Sequence, residues 1–194
     1  MHRVLSMLAF CASLAPLPGS AEPADATALG QLSGTFISPQ VETWYGGFGT
    51  REFIFADGQW QLIFTHALDP GMTQRTFQFR TGGSYRIGAP AGDSAFQADF
   101  DENWKHLTLL TTIPEVITGM GLAACGLPFN LEIDISATGC GPWKSVADCG
   151  TDHDLLSLDA TGLRFGARPA DNDMCSPERR PTTLTSPVVA LTGP

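Results

Sequence analysis

The chain has 194 residues and a formal net charge of −9, and 43% of its residues are hydrophobic. That length fits one domain with a substantial core. The acidic balance argues against nucleic acid and against an anionic membrane surface as partners.

Residues 1–21 read as a secretory signal peptide. His2 and Arg3 give a basic start, an apolar run extends from Val4 to Leu17, and Gly19-Ser20-Ala21 supply the small residues a signal peptidase needs. The run falls short of the ~20 residues of a spanning helix. Cys11 follows Phe10, where a lipoprotein motif needs a small residue. No later stretch is long and apolar enough to span a bilayer. The mature chain is therefore expected to be soluble and exported, periplasmic or secreted.

Glu22 to Gln31 is Ala-rich and polar and reads as a loose lead to a single domain over residues 32–194. Gly34 to Ser38 is a first strand, ended by Pro39. Val41 to Gly49, rich in glycine and aromatics, reads as a loop. Thr50 to His66 (TREFIFADGQWQLIFTH) follows as a β-hairpin. Asp57-Gly58 tolerates the positive φ of a type I′ turn and fixes the register. Phe55 then opposes Trp60, Phe53 opposes Leu62 and Arg51 opposes Phe64, so one face carries Arg51, Phe53, Phe55, Trp60, Leu62 and Phe64, with His66 at its end. That face belongs in a dry interior, and Arg51 is the charge on it.

Asp69-Pro70-Gly71 is a turn. Gln74 to Arg80 alternates, Gly82-Gly83 reads as a turn, and Ser84 to Ile87 and Ala95 to Phe100 alternate again. Trp104 to Thr111 reads as a strand and Pro114 to Leu122 as a short helix with proline in its first turn. Asn130 to Ile135 would point Leu131, Ile133 and Ile135 inward. Asp154 to Asp159 and Gly162 to Gly166 form a last hairpin, and Val188 to Leu191 is a closing strand. Short alternating strands with short connections predict an all-β fold. The expected architecture is an antiparallel up-and-down β-barrel-like (lipocalin-like) domain with one short helix.

Cys125, Cys140, Cys149 and Cys175 remain after signal removal. Four cysteines in an exported chain allow three pairings of two disulfides. Sequence order, Cys125–Cys140 and Cys149–Cys175, is favoured, each bridge stabilising by about 3 kcal/mol. The cysteines lack the paired spacing of a zinc site.

Candidate chemistry is thin. His66 and Asp69 could form a base and its orienter, but no nucleophile motif accompanies them. Asp152-His153-Asp154 has ligand-type side chains without evident partners and reads as a solvated edge. Asp171-Asn172-Asp173 resembles the start of a calcium loop but lacks the later glycine and glutamate. No phosphate-cradling glycine loop is present. No metal, cofactor or enzymatic activity is expected. Arg51 has two readings: a buried ion pair with an acid such as Asp69 or Asp99, or an anchor for a ligand's polar head beside an apolar cavity.

The run TREFIFADGQWQLIFTHALDP, then FQFRTGGSYRIG, ISATGC and FGARPADNDMCSPERRPTTL, with the spacing of the four cysteines, resembles bacterial members of the adenomatosis polyposis coli down-regulated 1 domain family. The resemblance spans roughly Leu32 to Leu191. Animal members of that family are membrane-tethered secreted antagonists of Wnt signalling. The resemblance implies a β-barrel-like lipid-binding domain, associated in the animal proteins with the Wnt acyl chain. The chain departs from the family where a paired cysteine is usual: Gln40 and Met72 stand there.

The expectation that follows is an exported, non-enzymatic binding protein for a lipid acyl chain or other apolar ligand. Arg51, Phe53, Phe55, Trp60, Leu62, Phe64 and His66 are its candidate ligand-binding residues. The alternatives are a loop-presenting interaction module, using Trp44, Tyr45 and Phe48, and a cell-envelope hydrolase or accessory using His66 or His153.

Overall fold

A computed structural model describes residues 25–92 and 94–191. Residues 1–21, expected to be a signal peptide, lie outside the described residues. The strands are β1 (Gly34–Ile37), β2 (Glu42–Trp44), β3 (Gly47–Ala56), β4 (Gln59–Ala67), β5 (Arg75–Pro90), β6 (Phe96–Asp101), β7 (Trp104–Leu109), β8 (Glu132–Asp134), β9 (Thr151–Asp159), β10 (Gly162–Phe165) and β11 (Val189–Ala190). Two short helices, α1 (Ala26–Leu29) and α2 (Pro114–Gly119), and two 3₁₀ turns complete the described chain.

Antiparallel pairing runs β10-β9-β6-β5-β4-β3-β1-β11. The two ends meet where Leu163 and Val188 exchange backbone hydrogen bonds of 2.9 and 2.8 Å. The result is a nearly closed barrel whose strands follow chain order, with two excursions. β2 extends the N-terminal half of β3, and β7 with β8 extends the first half of β5. Closing the sheet leaves few free edges to pair with another chain.

The central hairpin has the register set by its turn. Asp57 and Gly58 have φ of 51° and 72°, and Phe55↔Trp60, Phe53↔Leu62 and Arg51↔Phe64 are opposed. Each pair shares a face because side chains alternate along a strand. Arg51, Phe53, Phe55, Trp60, Phe64 and His66 are buried, and Leu62 is half-buried.

The core has two parts. In the closed half, Phe36, Phe53, Phe55, Trp60, Phe100, Leu156 and Leu163 pack together inside the ring. In the flared half, Phe64, Phe77, Phe79, Leu107 and Leu109 pack under Leu122, Cys140 and Trp143, which come from the long segment between β7 and β9. Both disulfides serve that segment. Cys125–Cys140 folds it back on itself, and Cys149–Cys175 ties its end to the chain beyond β10.

Five expectations are corrected. Val41 to Gly49 is not a loop: it holds β2 and the start of β3, joined by a turn at Tyr45 (φ 49°) and Gly46 (φ 77°). Its other glycines make room, because a Cβ on Gly47 would strike the His66 ring and one on Gly49 the Phe64 ring. Gly82-Gly83 is not a turn but the middle of the 16-residue β5. There β5 changes partner from β7 to β6, and Cβ atoms would strike the carbonyls of Trp60 and Asp101. The lead is not loose throughout. Asp25 caps α1, Leu29 is fully buried, and the Tyr85 hydroxyl donates to Leu29 O (3.0 Å) and accepts from Leu32 N (3.1 Å). Among the described residues there are two short helices rather than one. Leu131 is 55% exposed, just before β8, a three-residue strand paired to β7 whose first residue is also exposed.

Candidate functional site

The two half-cores do not meet completely. Between them lies a partly open pocket of about 60 Å³, roughly four times the ~15 Å³ that admits one water. Cross-strand alternation places four of its walls directly. Phe53, Trp60, Leu62 and Phe64 come from the dry face of β3 and β4. Phe100 and Phe165 face them from β6 and β10, and Phe79 and Trp143 close the flared end. Trp44 and Tyr45, at the tip of the β2–β3 hairpin, form the outer wall.

The rings lock one another. Phe53 stacks on Phe165 at 3.9 Å between centroids, Trp60 meets Phe100 edge-on at 4.9 Å, and Phe79 stacks on Trp143 at 4.9 Å. Such contacts hold the lining in place beyond simple area burial.

The remaining wall is polar. β9 alternates with period two, so Asp152, Asp154 and Leu156 all point inward and His153 points out. Arg168 Nη1 pairs with Asp152 at 2.7 Å. Arg168 Nε also donates to Asn172 Oδ1 at 2.7 Å, and the Tyr45 hydroxyl donates to the same oxygen at 2.7 Å. Glu102, between β6 and β7, pairs with Lys105 at 2.7 Å, and Lys105 also donates to the carbonyls of Lys144 and Cys149. Asp154 Oδ1 accepts from the N–H groups of Leu155 (2.7 Å) and Gly166 (2.8 Å). Gly166 allows this approach, because a Cβ there would strike that oxygen.

Burial sets the protonation of these groups. It pushes the Asp154 carboxyl up to about 7, with Arg168 and the two N–H donors opposing. Burial, aided by Asp152, pushes Glu102 up to about 7 against the pull of Lys105. Desolvation disfavours the charged form of a carboxyl.

Five of the seven expected ligand-binding residues line the pocket: Arg51, Phe53, Trp60, Leu62 and Phe64. Phe55 lies deeper in the closed half against Phe36 and Tyr85. His66 is fully buried on the flared side, stacked on Phe77, with Nδ1 at 2.7 Å from Thr76 Oγ1 and Nε2 at 3.1 Å from Trp44 O. Burial holds its pKa below the ordinary histidine value.

Arg51 is engaged. Its Nε and Nη2 bind both oxygens of Glu42 at 2.9 and 2.8 Å, and it also donates to Thr185 Oγ1 and Ser186 O. The acid is Glu42, from the neighbouring β2, rather than Asp69 or Asp99. Asp69 instead accepts from the backbone of Gly71, Thr73 and Gln74 in its own turn. Asp99 pairs with His153 (2.8 Å) and Arg180 (2.7 Å) on the outer face. Neither histidine of the hydrolase reading lines the pocket.

Glu102, Asp152, Asp154, Arg168 and Asn172 were missed as site residues. The alternation of Asp152 and Asp154 with Leu156 was a readable signal. The partnership of Tyr45 with Asn172, 127 residues apart, left none. Asp171 and Asp173 pair with Arg179 and Lys144, so Asp171-Asn172-Asp173 is a braced turn. Among the described residues, no group of three His, Cys, Asp or Glu side chains is placed to hold a metal ion. No helix among them is long and apolar enough to cross a membrane.

No family model and no curated protein matches this sequence.

Proposed function

We propose that the protein is an exported binding protein that takes a slender apolar or amphiphilic molecule, an acyl chain among the candidates, into the pocket between its half-cores. The observation that carries this reading is the aromatic lining of the pocket. Nine aromatic side chains surround a space that they do not fill, next to a buried polar wall. Pockets of this kind, mostly apolar with a few convergent polar groups, are the usual form of small-molecule sites. The two intramolecular disulfides fit an oxidising compartment, and the resemblance to the adenomatosis polyposis coli down-regulated 1 family points to lipid.

The pocket admits only a few heavy atoms as it stands, so a longer chain must extend past Trp44 and Tyr45. Beyond them, on the other side of Arg168, lies an open groove of about 840 Å³. Titrating delipidated protein with fatty acids, the matching alcohols and phospholipids tests the reading. A ligand at a hundredfold excess over Kd should stabilise by about 2.7 kcal/mol and raise Tm. No shift with any of them would leave the space as a packing defect.

An interaction module is the second reading. Its support is at the flared end, where exposed Leu68, Ile113 and Phe129 line a separate open groove.

A further inference from the structure

The charges around the pocket are paired one by one, with a single exception. Arg51 is held by Glu42, Lys105 by Glu102, and Arg168 by Asp152. Arg180 and His153, behind β9, share Asp99, and Arg180 reaches only the backbone carbonyl of Asp154. That leaves the side chain of Asp154, 4% exposed and outside every ion pair among the described residues. Its Oδ1 is occupied by the two backbone N–H groups, while its Oδ2 has no hydrogen bond among the described residues and adjoins the pocket. With every acid ionised, four carboxylates face three cations. An unpaired carboxylate in a low-dielectric interior attracts a positive charge strongly. The surrounding rings favour the same sign, because aromatic faces attract ammonium groups.

We propose that the pocket is selective for a cationic head, a primary ammonium on a short apolar chain, with Asp154 as its counter-ion and the aromatic walls around its methylenes. This rests on the pocket being a ligand site, and it names the class of ligand. An acid would have to displace Glu42 from Arg51 or Asp152 from Arg168, and would add a negative charge beside Asp154. An ammonium takes the place that a proton holds on Asp154 at low pH.

The test uses three matched probes, n-hexylamine, n-hexanol and hexanoate, titrated calorimetrically into the mature, disulfide-intact protein. Hexylamine should bind tightest. Its affinity should rise from about pH 5.5 to about pH 8 as Asp154 loses its proton, since the amine itself stays charged throughout. Asp154→Asn keeps the Oδ1 that accepts from Leu155 and Gly166 but removes the charge. It should weaken hexylamine by about 30-fold or more and leave hexanol within about twofold. Should that variant fail to fold, the pH dependence decides in Glu102→Gln, which removes the other pocket carboxyl that burial pushes up to about 7 and should keep the rise in hexylamine affinity. Hexanoate binding tightest, or hexylamine affinity that does not rise with pH, would overturn the proposal while leaving a binding pocket. If none of the three binds, the proposal and the pocket reading fail together.

Discussion

Phe55 on β3 and Phe79 on β5 are both buried phenylalanines of the barrel, one strand apart, yet their surroundings differ in kind. Around Phe55, in the closed half, backbone hydrogen bonds link strand to strand until Leu163 meets Val188, and Leu29 and Leu32 seal the end. Around Phe79, in the flared half, β7 and β8 splay outward and the cover is Trp143 and the Cys125–Cys140 bridge, on a segment with little regular structure. Where strands close on themselves, the ladder supplies the constraint. Where they do not, covalent links supply it, as small secreted domains commonly do. The pocket lies where the two solutions meet, and its unfilled space follows from joining them.

Phe55→Ala should be the most damaging change, at about 3–5 kcal/mol, because a ring of paired strands cannot collapse around the void. Urea unfolding monitored by far-UV CD measures it. A cost under about 1 kcal/mol would mean that the closed half is not tightly packed. Removing one bridge with Cys125→Ala and Cys140→Ala should cost about 3 kcal/mol. Hydrogen exchange should then speed up between β7 and β8 and remain slow in β9 and β10. Uniform acceleration would contradict separate seals. Leu29→Ala should cost ~2 kcal/mol, at the low end for buried leucines, since a one-turn helix can settle into the gap.

The pH dependence is subtler. Asp154 is raised from 3.8 to about 7 in the folded protein. Its contribution is therefore most favourable below about pH 4 and is lost as pH rises through 7. Asn cannot titrate, so the stability of Asp154→Asn relative to wild type should improve steadily from pH 4 to pH 8, by a few degrees in Tm. His66 has the opposite sign: burial lowers its pKa, so stability falls as pH drops below its ordinary value of 6.5. That loss is common to both proteins and cancels in the difference. A flat difference would mean that Asp154 is not buried as described. The smallest effect belongs to Gln61→Ala, on the exposed face of β4, which should stay within about ±0.5 kcal/mol.

The closed half was readable because its information is local. A two-residue turn set the register of the hairpin, and alternation did the rest. The sequence-order disulfides also stand as expected. The errors came where one residue type serves two purposes. Gly82-Gly83 looks like a turn in sequence but is a bare patch where three strands crowd together. Tyr45-Gly46 closes a hairpin whose first strand, β2, and the start of β3 lie in a stretch whose glycines and aromatics read as a loop. The charged part of the pocket was hidden for another reason. Asp152 and Asp154 look like surface residues until Arg168, Lys105 and Glu42 are brought to the same interior by pairings far apart in sequence.

The four tryptophans give the most direct test of the pocket. Trp44, Trp60 and Trp143 line it, while Trp104 lies outside it beside His106. Their indole N–H signals can be followed separately by ¹⁵N NMR during titration with a hexyl amphiphile. The signals of Trp44, Trp60 and Trp143 should shift together and saturate with one dissociation constant, and that of Trp104 should stay in place. A titration that moves Trp104 alone, or moves none of the four, would contradict a ligand site between the half-cores.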